Sequence, residues 1–99
     1  VLKMKDSKIK KLIMESMHSY SPELVGIFGS YSRKENTRQS DIDILVRFKK
    51  GLSLLQLIKL ENELSEKLGI KVDLITEGAI KNKRIRENIE KDLDIIYKA

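Results

Sequence analysis

Asp41 and Asp43 stand two positions apart at the head of an apolar run in which Ile42, Ile44 and Val46 alternate with Asp43 and Leu45. In an extended strand, residues i and i+2 leave the same face about 6.6 Å apart along the backbone. The two carboxylates therefore repel each other unless a cation lies between them. Asp73 interrupts another apolar segment, Ile70 to Thr76, and offers a third carboxylate. Magnesium takes oxygen ligands at about 2.0–2.1 Å and is commonly shared between one or two carboxylates and substrate phosphates. Two such ions about 3.5–4 Å apart support in-line displacement at phosphorus. An Asp-x-Asp pair alone is more often a strand-end cap or a solvated face. What sharpens the reading is Gly29-Ser30, placed directly after the apolar run Leu24 to Phe28. There glycine lets the backbone approach a phosphate, and the serine hydroxyl and neighbouring amides can donate to its oxygens.

These residues need elements to hold them. Ile9, Leu12, Ile13, Met17 and Tyr20 follow helical spacing, with Ser7 as the expected N-cap and Pro22 as the stop. Leu24 to Phe28 reads as a buried strand closed by Gly29, and Ile42 to Val46 as a second strand. After a turn at Lys49, Lys50 and Gly51, the leucines at 54, 57, 60, 64 and 68 mark a long helix with Gly69 at its C-cap. Ile70 to Thr76 reads as a third strand, Ile80 to Ile89 as a last helix and Leu93 to Tyr97 as a short edge strand. The dozen or so residues between the first two strands suit an antiparallel pair, which sets Gly29 beside Asp41. The long helix allows a right-handed crossover, so the second and third strands can run parallel and set Asp73 near Asp41 and Asp43.

Composition narrows the field further. Ninety-nine residues, 40% hydrophobic, suit one domain over 1–99, with no room for a second core. No cysteine is present and His18 is the lone histidine, so any metal must be held by oxygen. No apolar stretch approaches the roughly 20 residues needed to cross a bilayer, which makes a cytoplasmic protein the expectation. The net charge of +5 suits a polyanionic ligand such as a nucleoside triphosphate, RNA or an acidic partner. Aromatic residues, at 5%, are too few for the stacking platforms of many single-strand binders, so nucleic acid is possible but not favoured. Lys49, Lys50, Lys81, Lys83, Arg84 and Arg86 are candidates for a basic rim but are more simply solvated charge. Tyr31, Phe48 and Tyr97 could stack on a base but are more simply packing residues.

Taken together, Gly29-Ser30-Tyr31-Ser32-Arg33, a polar spacer and Ser40-Asp41-Ile42-Asp43-Ile44-Leu45-Val46 resemble the signature of the DNA polymerase beta-like nucleotidyltransferase superfamily. The likeness is greatest to its minimal nucleotidyltransferases, and it continues through Lys71 to Thr76 and from Ile85 to Tyr97. The resemblance implies an α/β (α+β) nucleotidyltransferase fold, a small mixed sheet of three to four strands flanked by about four helices. It implies that Gly29 and Ser30 contact the triphosphate, that Asp41, Asp43 and Asp73 bind one or two Mg2+ ions, and that Asp73 is the candidate general base. Arg33 falls at the arginine of the family's Gly-Ser-x-Ala-Arg-Gly pattern, where a guanidinium can pair with phosphate, and a solvated surface arginine is the equal alternative. Two positions depart from that pattern: Ser32 replaces alanine, and Lys34 replaces a glycine, where a positive φ would strain a lysine. The implied reaction is transfer of a nucleoside monophosphate, AMP from ATP, to a hydroxyl of a partner macromolecule. Such proteins resemble antitoxins paired with HEPN-type ribonuclease toxins, some of which they modify on a tyrosine. The rival expectation is a catalytically idle module that neutralises its toxin by contact alone.

Overall fold

The computed structural model describes residues 6–33 and 41–99. The chain opens with α1 (Asp6–Met17), continues through a 3₁₀ turn (His18–Tyr20) and enters β1 (Pro22–Phe28). Next come β2 (Ile42–Phe48), α2 (Leu54–Leu68) and β3 (Val72–Thr76). A second 3₁₀ turn (Glu77–Ala79), α3 (Lys83–Asp92) and β4 (Asp94–Lys98) complete it. The expected group of about four helices is met, among the described residues, by three α-helices and two single 3₁₀ turns.

Several boundaries differ from the sequence expectation for identifiable reasons. The first helix has already begun at Asp6, so Ser7 lies inside it rather than at its cap. Proline, tolerated as the first residue of a strand, opens β1 at Pro22 two residues early. The last helix starts later than Ile80 because Asn82 caps it, its side chain accepting from the amides of Arg84 and Ile85. Both ends of α2 match the leucine pattern. Ser53 and Gln56 form a reciprocal capping box, and Gly69 takes the left-handed conformation with φ 66°. Leu54, however, is 73% exposed and lies off the buried stripe.

The four-stranded sheet has the order β3-β2-β1-β4. As expected, β1 and β2 are antiparallel and β2 and β3 parallel, while β4 joins the free side of β1 in antiparallel pairing. Strand alternation divides the side chains between two unequal layers. One face carries Val25, Ile27, Ile42, Ile44, Val46 and Val72 into the main core, beneath Ile9, Ile13 and Met17 of α1 and Leu60, Leu64 and Leu68 of α2. Each such fully buried side chain contributes roughly 1.5–3 kcal/mol. The opposite face is thinly covered. Leu24 and Leu45 meet Ile89 of α3, with Leu93 and Ile80 partly buried beside them. Gly26 lets Leu93 pack directly on the strand, since a Cβ would lie 2.5 Å from Leu93 Cδ1 and that side chain would have to move. The outer edge of β3 is closed by α2: the Val72 amide donates to Ser65 Oγ and the Leu74 amide to Glu61 Oε2, both at 2.9 Å. Those side chains occupy backbone groups that would otherwise be open to another strand.

Candidate active site

The odd-numbered positions of β2 face the thinly covered side, so Asp43 shares a face with Leu45 and Arg47 while its even-numbered neighbours fill the core. Asp41 immediately precedes β2, and the Ile42 amide fixes that entry by donating to the Lys71 carbonyl at 2.9 Å. In the register of the sheet, Asp43 lies opposite Phe28 on one side and Asp73 on the other. The end of β1, the start of β2 and the start of β3 thus meet at a single edge of the sheet.

The turn after β1 closes over this edge. Gly29 adopts φ 78°, a left-handed conformation that side chains disfavour, and the Arg33 amide donates back to its carbonyl at 3.1 Å. A Cβ at Gly29 would fall onto the Asp43 carboxylate Oδ2. Glycine is therefore needed here twice over, for the turn and for backbone lying directly against the central carboxylate. Ser30 and Tyr31 continue the turn and are half-buried.

Electrostatics follow from this crowding. The Asp43 carboxyl is raised above its ordinary range, first by burial and then by the negative charges of Asp73 and Asp41; Arg33 opposes the rise. Three hard oxygen donors, with the charges of two of them bearing on the carboxyl of Asp43, fit a divalent cation that would relieve the repulsion. They are adjacent without being drawn together, for among the described residues no three acidic or histidine side chains are gathered closely enough to enclose a metal. Arg33 is also held from elsewhere. Its Nη1 donates to Asp92 Oδ2 at 2.5 Å, and the Ser32 hydroxyl donates to the Asp92 backbone carbonyl.

Other expectations resolve differently. Phe48 is excluded as a base-stacking residue, because it lies at the far end of β2, 8% exposed, packed 6.3 Å from the Tyr20 ring. Lys49 and Lys50 leave that same far end, Lys83 pairs with Glu87, and Arg86 donates to the Ile80 carbonyl. Lys49 and Lys50 therefore lie at the opposite end of β2 from the aspartates. His18 is exposed on the first 3₁₀ turn, and Tyr97 is 40% exposed on β4. Lys34 and Ser40 lie outside the described residues. Asp92 was not foreseen; no local pattern in the sequence pairs it with Arg33.

The pattern of the nucleotidyltransferase domain matches residues 7–96. The chain belongs to the nucleotidyltransferase domain family. A Methanocaldococcus jannaschii protein, provisionally assigned as a protein adenylyltransferase, is 50% identical over 86 residues, covering 87% of this chain and 85% of its own. The fold of this nucleotidyltransferase is shared with a toxin–antitoxin crystal structure containing AMP-PNP, at TM-score 0.82 and 23% identity over 91% of this chain and 73% of that one. It is shared also with a complex described as a tri-AMPylated Shewanella oneidensis HEPN toxin with its MNT antitoxin, at TM-score 0.78 and 20% identity, covering 96% and 74% of the two chains. With the domain match and the M. jannaschii relative, the chain is a nucleotidyltransferase enzyme. Among the described residues, no helix is long and apolar enough to cross a membrane.

Proposed function

We propose that this nucleotidyltransferase transfers AMP from ATP to a hydroxyl of a HEPN-type partner protein, releasing pyrophosphate, and so acts as the antitoxin of a two-protein pair. The observation that carries the reading is the placement of Asp43 between Gly29 and Asp73 at one edge of the sheet. The amides and hydroxyl of the Gly29–Ser30 turn bind the triphosphate, and Arg33 offers a guanidinium to its charge. Asp41, Asp43 and Asp73 would hold Mg2+, which supplies charge neutralisation on the phosphates and steadies the leaving oxygen when bound. Asp73 accepts the proton of the attacking hydroxyl. The acceptor oxygen forms its bond to the α-phosphorus as the bond to the bridging oxygen breaks, and the electron pair leaves with pyrophosphate. The adenylyltransferase assignment of the M. jannaschii relative and the AMPylated toxin of the S. oneidensis complex support this choice of nucleotide and partner.

The test is transfer of label from α-labelled ATP to the co-purified partner in magnesium, with the Asp41→Asn, Asp43→Asn double variant as control. Label on the partner, lost in the variant, supports the proposal. Unlabelled partner whose ribonuclease activity is still neutralised would replace it with inhibition by contact alone.

A further inference from the structure

The turn that follows Gly29 is not held only by its own strand. Two successive residues, Ser32 and Arg33, reach the same residue at the end of α3: the Ser32 hydroxyl donates to the Asp92 carbonyl and Arg33 Nη1 donates to the Asp92 carboxylate at 2.5 Å. The last carbonyls of a helix lack intrahelical partners, and Ser32 supplies one. An acidic side chain in the last turn of a helix is electrostatically disfavoured, so the Asp92 carboxylate gains from a guanidinium at that place. The Asp92 side chain is 24% exposed and that of Arg33 44%, so the acid is the more fixed partner of the two. With Nη1 on Asp92, the planar fork of the guanidinium takes a defined orientation relative to the end of α3. The pair therefore narrows the rotamers open to a long side chain.

We propose that Asp92 is a positioning residue for nucleotide binding: through its carboxylate it orients Arg33, and through its carbonyl it anchors Ser32, so that the end of α3 sets the geometry of the triphosphate-binding turn. The inference rests on the proposed function, in which that turn binds the nucleotide.

The experiment is calorimetric titration with magnesium and a nonhydrolysable ATP analogue, on wild type and on Asp92→Asn, Asp92→Glu, Arg33→Ala and the Arg33→Ala, Asp92→Asn double variant. Thermal melting of each variant checks its fold. Asp92→Asn is expected to weaken binding about 3- to 10-fold, the cost of immobilising one rotamer-rich side chain on association. Asp92→Glu keeps the carboxylate and is expected to remain within about two-fold of wild type on the same principle. In the Arg33→Ala background, Asp92→Asn should change affinity less than about two-fold, because its effect passes through Arg33. Wild-type affinity in a folded Asp92→Asn variant, or a full additional loss on top of Arg33→Ala, overturns the inference while leaving the nucleotide site standing. No binding by wild type overturns the nucleotide-site reading and the inference together.

Discussion

In the proposed reaction Asp43 concentrates the chemistry and the electrostatic cost of the site in one side chain. Its folded-state carboxyl is raised by burial and by Asp73 and Asp41. A carboxyl that is harder to ionise in the fold than in the unfolded chain makes the fold lose stability as pH rises through the window from the ordinary carboxylate value to the raised one. Asp43→Asn is therefore expected to raise Tm at neutral pH by up to a few degrees, screening by solvent keeping the gain small. That gain should vanish below the ordinary carboxylate range, and melting curves at pH 3.5 and pH 7.5 check it. The same substitution is expected to lower AMP transfer by at least about 100-fold, the scale of losing an electrostatic stabiliser of the transition state. Gly29 admits no such trade. Gly29→Ala puts a methyl group onto the Asp43 carboxylate in a left-handed turn, so it should both abolish nucleotide binding and destabilise the fold by about 1–2 kcal/mol, read by calorimetry and by denaturant titration.

At the scale of elements, the sheet contributes alternation and the helices contribute boundaries. Odd positions of β2 face the site while even ones fill the core, and the parallel pairing with β3 brings Asp73 level with Asp43. That pairing depends on the long connection through α2, whose start is set by Ser53 and Gln56 and whose end is set by Gly69. On the other side, α3 begins where Asn82 caps it. Asn82→Ala should cost about 1 kcal/mol, visible in urea unfolding. Because the far end of α3 carries Asp92, fraying of this helix should also weaken nucleotide binding, whereas Ser53→Ala in α2 should cost similar stability with affinity unchanged.

Across the whole molecule, the two faces of the sheet divide the labour. The face under α1 and α2 is sealed by fully buried side chains such as Ile13, Leu60 and Leu64, and it holds the strands in register. Leu64→Ala there is expected to cost 2–5 kcal/mol, lowering Tm by about 10 °C or more. The face under α3 is only partly covered, and Asp43 lies on that face beside Leu45. By itself the sequence determined the order and type of the elements, because apolar spacing of two or of three to four residues is a local property. It also favoured the pairing directions that the sheet adopts, because connection length limits how strands can meet, and it put forward Gly29, Ser30, Asp41, Asp43 and Asp73 as candidates through short motifs. It could not decide that Phe48 belongs to the core or that the lysines at 49 and 50 leave the far end of the sheet, since both depend on which end of a strand meets which neighbour. Only the tertiary structure decided that Gly29 lies against Asp43 and that Asp92 grips Arg33. The physical reason is the same in each case: local spacing fixes which face a side chain takes, whereas contacts between distant residues arise only when helices and strands pack.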